Sequence, residues 1–382
     1  MKLFDVYPVY PINPVKAKGA YLWDEKGKEY LDFYGGHAVI SIGHSHPHYV
    51  EGISNQLKNI GFYSNSVLIP QQEQLATALG KASGLEDFQL FLCNSGAEAV
   101  ENALKVASFH TERKKILSFK ESFHGRTSLA VEVTSYPKMK ALVNHTGNVA
   151  FADLNDIEWV EKELSSGDYA AVIIEGIQGF SGINVPEESF LIELRNLCTR
   201  FGTMLILDEI QSGYGRTGDF FAFQNAGIIP DIVTIAKGMG NGFPIAGVLL
   251  KPEIQPKHGM LGTTFGGNHL ACAAGIAVLE VIETEHLVEN SKYMGEYLIE
   301  KLRKIDLVKS VRGRGLMIGM EFDFPAADLR KKLLTEYNIF TGSSGNQNVM
   351  RLLPPLCVTK EECDRFLEAF ENILANEPFL QH

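Results

Sequence analysis

The chain has 382 residues, 45% hydrophobic, 21% charged and 10% aromatic, an ordinary globular composition with length for two to three domains and a large buried core. Its 46 acidic against 35 basic residues give a formal net charge of −11, and its basic runs stop at Arg113-Lys114-Lys115 and Arg330-Lys331-Lys332, which argues against nucleic acid or an anionic membrane as partner. An acid and a proline stand in Met1-Lys2-Leu3-Phe4-Asp5-Val6-Tyr7-Pro8 where a signal peptide needs an apolar run, and no stretch reaches the roughly 18 apolar residues of a membrane span. Five scattered cysteines, Cys93, Cys198, Cys272, Cys357 and Cys363, contain no CxxC pair and read as reduced thiols. A soluble, cytoplasmic protein is expected.

Near the start, Ala20-Tyr21-Leu22-Trp23-Asp24 turns at Lys26-Gly27 into Glu29-Tyr30-Leu31-Asp32-Phe33, the pattern of a hairpin. His44, His46 and His48 follow at alternate positions; on a strand they would share one face, as a metal-dependent hydrolase might need, but Pro47 interrupts such a strand. Short apolar runs then recur at 89–92, 115–119, 170–174, 203–207 and 232–235. They are too short for helices and lack strict alternation, so they read as strands buried on both faces. Helical patterns lie between several of them, at 97–109 after Asn94-Ser95-Gly96 and at 187–201 after Pro186. Strand and helix alternating in this way predict an α/β domain around a mostly parallel sheet. The last third changes character: one long helix over 269–304, a strand at 316–322, a helix at 326–337, a strand at 348–353 and a helix at 359–375. These predict a small separate layer, which the amino-terminal hairpin could join.

In an open α/β sheet, ligands sit beyond the carboxyl ends of the strands. After the strand at Leu90 comes Asn94-Ser95-Gly96-Ala97-Glu98, a turn into a helix whose free N–H groups can hold a phosphate; the same turn also serves as a plain N-cap. After Leu207 comes Asp208-Glu209-Ile210-Gln211, and after Ile235 comes Ala236-Lys237-Gly238. A charge following a buried strand is costly without a partner or a function. Two solvated loop residues are one reading; a Schiff-base lysine with a carboxylate facing a cationic ring nitrogen, as a pyridoxal phosphate site requires, is the other. The run Gly238-Met239-Gly240-Asn241-Gly242 lacks the third glycine of a dinucleotide loop at the right spacing and reads as a turn.

The ordered set Leu31-Asp32-Phe33, Gly43-His44-Ser45-His46-Pro47, Asn94-Ser95-Gly96-Ala97-Glu98-Ala99, Phe123-His124-Gly125-Arg126-Thr127, 207–218, Pro230-Asp231-Ile232, Ala236-Lys237-Gly238, Thr263-Thr264-Phe265-Gly266-Gly267-Asn268 and Gly313-Arg314-Gly315-Leu316 resembles the class III (ornithine-type) aminotransferases. The match spans nearly the whole chain and is nearest the acylornithine branch, acting on acetylornithine or succinylornithine in arginine biosynthesis. It implies a pyridoxal 5'-phosphate-dependent transferase of fold type I, α/β in class, with a mostly parallel seven-stranded sheet in a large domain (46–275). A small α+β domain would be built from 1–45 and 276–382. It also implies a homodimer with shared sites, in which the ω-amino group of an N-acylated ornithine passes to 2-oxoglutarate, giving a semialdehyde and glutamate.

On that resemblance Lys237 carries the cofactor and shuttles the proton, while Asp208 keeps the ring nitrogen protonated. Ser95, Gly96 and Ala97 hold the phosphate with Thr264 of the partner subunit; Phe123 stacks on the ring, and His124 and Gln211 complete the cofactor contacts. Arg126 and Arg351 would pair with substrate carboxylates, and Glu175, Tyr63, His37 and Phe180 would lie by the substrate. No metal is implied. The family usually has proline where Gly176 stands, and glutamate where Phe180 stands. That glutamate masks the second arginine while the donor is bound; without it Arg351 is expected either to stay unmasked throughout or to be neutralised by another group, and an unmasked arginine would favour a donor with an anionic acyl end, such as N-succinylornithine. His37, where relatives often carry tyrosine or an aliphatic residue, either hydrogen-bonds the acyl group or stands at the mouth of the site without contact. Ornithine or 4-aminobutyrate aminotransferase, and a non-catalytic cofactor-binding relative, are the other readings.

Overall fold

The computed structural model describes residues 1–376. The strands are, in chain order, β1 (Pro14–Lys18), β2 (Tyr21–Asp24), β3 (Glu29–Asp32), β4 (Gln89–Cys93), β5 (Lys115–Phe119), β6 (Val149–Ala152), β7 (Tyr169–Glu175), β8 (Met204–Asp208), β9 (Ile232–Ile235), β10 (Ala246–Leu250), β11 (Ser310–Arg314), β12 (Met317–Glu321), β13 (Ile339–Phe340) and β14 (Val349–Leu352). Seven of them form one sheet in the order β4-β10-β9-β8-β7-β5-β6. Only β10 runs against its neighbours β4 and β9; the other pairs in that sheet are parallel. Every residue of β7, β8 and β9 is buried, because helices cover both faces of a parallel sheet and leave no solvent side to favour alternation. The architecture is the α/β fold type I.

Because six strands run the same way, their carboxyl ends open on one side. Glu175 and Asp208 close β7 and β8 in direct register, Ser95 caps the helix Gly96–Thr111 after β4, and Lys237 opens the short turn after β9.

The amino-terminal hairpin β2–β3 pairs through β3 with β13, 308 positions downstream from Leu31 to Ile339, in parallel register. A three-stranded sheet, β11-β12-β14, forms beside it. The expected layer had no strand over Ser310–Arg314, where Arg312, Gly313 and Arg314 hide the apolar alternation. Buried Arg216 ties these parts together, donating to the carbonyl oxygens of Leu316 (3.3 Å), Ile40 (3.2 Å) and Pro354.

The single helix expected over 269–304 is instead two, His269–Thr284 and Leu287–Leu302. His286, at φ +52, reverses the chain between them. Neither glycine nor proline marks that break, and both helices bury an apolar face, so the sequence pattern runs on through it.

The three histidines near the start do not share a strand face. Pro47 stands at the first turn of a helix, Pro47–Asn59, a position where its missing N–H costs nothing. His44 pairs with Asp32 at 2.9 Å, His46 with Glu285 at 2.8 Å and His48 with Glu280 at 2.5 Å, three separate partners. Among the described residues no helix is long and apolar enough to cross a membrane.

Candidate active site

A cleft of about 710 Å³ opens at the carboxyl ends of the large sheet. Its walls bring together Ser95, Gly96, Ala97, Phe123, His124, Arg126, Glu175, Phe180, Asp208, Gln211, Lys237, Arg351 and His37. Two residues singled out in the sequence are not there. Thr264 is exposed on the loop before the helix His269–Thr284, and Tyr63 is 54% exposed; neither lines the cleft of its own chain.

The floor is a buried polar cluster. Asp208 Oδ2 lies 2.6 Å from His124 Nδ1, and its Oδ1 accepts the Ile210 N–H at 3.1 Å. An ionised carboxylate can only accept, so Nδ1 carries the proton; Nε2 of His124, also buried, has no partner among the described residues. The His124 backbone is fixed in turn by its N–H donating to Thr134 Oγ1 at 2.9 Å. Next to it, Gly125 adopts φ +142, and a Cβ there would meet the Cβ atoms of Ala130 and Ala97 at 3.0 Å. The helix start thus packs directly on the 123–126 turn.

Lys237 holds a left-handed backbone at φ +43, which costs a non-glycine residue about 1 kcal/mol. Strain of this kind concentrates at functional positions. Burial pushes its pKa down from that of an ordinary lysine, while Asp208 and Glu175 pull it back and Arg351 adds to the fall.

At the phosphate end Ser95 Oγ caps its helix by accepting the Glu98 N–H at 3.2 Å. Glu98 closes the turn by accepting the N–H of Asn94 at 3.1 Å. The N–H groups of Gly96 and Ala97, in the first turn, have no intrahelical acceptor and face the cleft with the positive end of the dipole.

The substrate side is cationic and aromatic. Phe123 and Phe180 stack at 5.1 Å and 24°, and Tyr136 meets Phe180 edge-on at 4.8 Å. The Arg126 guanidinium, exposed to the cleft, lies 5.8 Å from the centre of the Phe123 ring. Arg351 is only 3% exposed. Its Nη1 donates to the Gly179 carbonyl at 2.9 Å and its Nε to the Ser343 carbonyl at 2.5 Å. Among the described residues no carboxylate is paired with it. Glu175 instead accepts the N–H groups of Phe123 and Gly179, each at 2.9 Å. Gly176 leaves room where a Cβ would come within 2.6 Å of Glu209 Oε1 and 2.8 Å of the Ala222 Cβ.

His37, at φ +71, packs its ring on Tyr34 at 4.7 Å, and its carbonyl accepts from Gln211 Nε2 at 3.2 Å. Val6 and Tyr7 also line the cleft. Nothing in the motifs pointed to them, because an extended segment without periodicity gives no local signal. Tyr136 escaped notice for the same reason, since only the fold brings it to Phe180.

A reactive amine, a buried carboxylate–imidazole pair and an anion-holding helix start facing one cleft define an enzyme that handles an amine through a phosphorylated, ring-nitrogen cofactor. A class-III aminotransferase family model matches residues 5–374. The chain is 40% identical over 380 residues to the acetylornithine aminotransferase of Aquifex aeolicus, covering 97% of this chain and 99% of that protein. It is 42% identical over 360 residues to the acetylornithine aminotransferase of Archaeoglobus fulgidus, covering 94% of each. The solved structure of the ornithine aminotransferase from Toxoplasma gondii matches with a TM-score of 0.90 at 29% identity, over 97% of this chain and 93% of that one. The chain belongs to the class-III aminotransferases.

It is therefore a pyridoxal-phosphate-dependent aminotransferase. The cleft fits that cofactor: the orphaned His124 Nε2, the free N–H groups of Gly96 and Ala97 and the amine of Lys237 are the polar groups such a ligand would engage.

Proposed function

We propose that this enzyme moves the terminal amino group of an N-acylated ornithine to 2-oxoglutarate, the acyl group being acetyl or succinyl. The observation that carries the reading is the pair of arginines, Arg126 and Arg351, facing the same cleft as Lys237 without a carboxylate of their own. Two guanidinium groups with no carboxylate partner among the described residues suit a dicarboxylate, since a guanidinium fork matches a carboxylate. The names of the relatives at about 40% identity over nearly the whole chain support the acylornithine donor.

On this reading Lys237 would hold the cofactor covalently, and its amine, once freed by the donor, would take the proton from the substrate carbon that bears the amino group. Pyridoxal phosphate, when bound, supplies an electron-accepting ring that stabilises the negative charge left on carbon. Asp208, oriented by His124, would face the ring nitrogen with its negative charge. Ser95, Gly96 and Ala97 would hold the phosphate, with Phe123 against the ring and Gln211 toward its hydroxyl. Arg351 grips the α-carboxylate of the acceptor and Arg126 a second carboxylate; Phe180, His37 and Tyr63 shape the donor end.

A second copy of the chain completes the site. Leu57, Phe62, Tyr63, Val67, Leu68 and Phe265 are exposed, Leu68 at 90% and Phe265 at 60%, and the Phe62 and Phe265 rings lie 5.4 Å apart, apolar groups that a second copy would cover. Thr264 precedes Phe265 and is exposed, and a two-fold dimer would carry it to the phosphate of the partner subunit's site.

The test is a single-turnover titration of the purified holoenzyme with N-acetylornithine, N-succinylornithine, ornithine and 4-aminobutyrate, following loss of the visible cofactor band. Conversion by either acylornithine well ahead of the free amines is the expected result. Because no glutamate masks Arg351, N-succinylornithine should match or exceed N-acetylornithine in kcat/KM. A preference for acetyl of about tenfold, about 1.4 kcal/mol, would refute that part.

A further inference from the structure

Phe123 and Arg351 face the cleft from different elements, the turn after β5 and the strand β14. One side chain connects them. Glu175 closes β7 at 6% exposure; one of its oxygens accepts the Phe123 N–H and the other the Gly179 N–H, both at 2.9 Å. The Gly179 carbonyl in turn accepts from Arg351 Nη1 at 2.9 Å. On the other side of Phe123, His124 is bonded to Asp208. A continuous path therefore runs from Asp208 through the 123–124 backbone, the Glu175 carboxylate and the Gly179 peptide to Arg351.

We propose that Glu175 is a positioning residue: its carboxylate braces the ring-covering wall of the cleft at Phe123 against the substrate-arginine wall at Gly179 and Arg351. The inference rests on the roles proposed above for Phe123 and Arg351, but not on which donor the enzyme uses.

The chemistry of the side chain fits the task. Two N–H donors point at two separate oxygens, and a carboxylate accepts on both; an amide accepts on one and presents a donor on the other. The brace works against burial, which pushes the Glu175 carboxyl up to about 7, with Asp208 adding to the rise and His124 and the two N–H groups opposing it. Lys237, Arg351 and Tyr136 also face it. Packing alone would be served more cheaply by an apolar residue, since a buried carboxylate carries a desolvation cost. A direct contact with the amino donor, the expectation from resemblance, is not needed to explain the residue, because both oxygens are engaged within the chain.

The experiment compares the unaltered enzyme with Glu175→Gln in three readouts. Pyridoxal phosphate affinity is measured by titrating the apoenzyme. Affinity for glutarate, a dicarboxylate that cannot react, is measured from its perturbation of the holoenzyme spectrum. The melting temperature is the third.

Glu209→Gln is the control: Glu209 is also buried and pushed up to about 7, but its side chain accepts from Ser212 and from the Ala222 and Phe223 N–H groups rather than from the Phe123 and Gly179 peptides. The brace predicts that Glu175→Gln weakens both cofactor and glutarate at least fivefold, whereas Glu209→Gln lowers the melting temperature and leaves both affinities within twofold. If Glu175→Gln does not fold, Glu175→Asp, which keeps the charge but shortens the reach, should show the same double loss. Two results overturn the proposal: both affinities intact, or a loss confined to the amino-donor half-reaction with cofactor and glutarate binding unchanged. The second would make Glu175 a donor contact. Since glutarate and cofactor binding do not depend on the donor, failure of the acylornithine assignment and failure of the brace are read separately.

Discussion

The floor of the cleft and the apolar surface around Phe265 belong to one chain yet are finished to different degrees. At the floor, His124 and Asp208 are buried against each other and Glu175 has both oxygens engaged. Around Phe265 the reverse holds, with large side chains in water and Thr264 and Tyr63 standing clear of the cleft. A single chain can place two carboxylates, Glu175 and Asp208, side by side because adjacent parallel strands end in register. It leaves the outer phosphate contact and part of the donor wall to surfaces that, on the dimer reading, a second copy supplies.

The contrast is sharpest at Lys237. Replacing it with Ala should abolish the visible cofactor band and lower turnover by at least about a thousandfold, the scale of a lost acid–base group, as measured by absorbance and coupled assay. Asp208→Asn keeps the shape but removes the charge and the acceptor that orients His124. Activity should fall about a hundredfold or more, while the protein stays folded by circular dichroism.

On the unfinished side, Phe265→Glu should convert a dimer into a monomer in sedimentation velocity and weaken cofactor binding with it. Thr264→Val should leave the dimer intact and cost about 1.5–3 kcal/mol of cofactor affinity, the worth of a hydrogen bond to a charged group. Full cofactor affinity in a monomeric Phe265→Glu protein would break the comparison, for it would mean that one chain completes its own site.

The smallest expected effect concerns pH. Burial holds the Lys237 pKa below 10.5, and the neutral amine is the form that attacks the cofactor aldehyde. Capture of pyridoxal phosphate by the apoenzyme should therefore quicken as pH rises and level off below the pH at which an exposed lysine would. Stopped-flow rates between pH 6 and 10 (roughly the range bracketing an amine so shifted) check the sign.

Much of this was legible before any coordinates. Four of the five apolar runs, β5, β7, β8 and β9, are strands of the parallel part of the sheet, whose burial on both faces demands continuous apolar sequence; the run at 89–92, expected to be buried likewise, is instead the half-buried edge strand β4, paired antiparallel with β10. Asp208 and Lys237 drew notice as charges following such runs. The pair of helices joined at His286 was not legible, since periodicity persists across a break made by one left-handed residue. Nor was the strand Ser310–Arg314, whose arginines answer to partners elsewhere: Arg312 to Glu321 and the Gly182 carbonyl, Arg314 to Glu188.

The sequence by itself determined the fold class and the family and singled out the candidate reactive residues, because these are carried by local pattern and by motifs whose chemistry is intrinsic to the residue types. Only the tertiary structure decided what stands opposite what. That Glu175 spends both oxygens on backbone N–H groups, that Arg351 meets carbonyls in place of a carboxylate, and that Thr264 lies outside its own cleft all depend on contacts between residues far apart in the chain. Spacing along a sequence cannot encode such contacts, since they follow from how strands order within a sheet and how its covering loops pack.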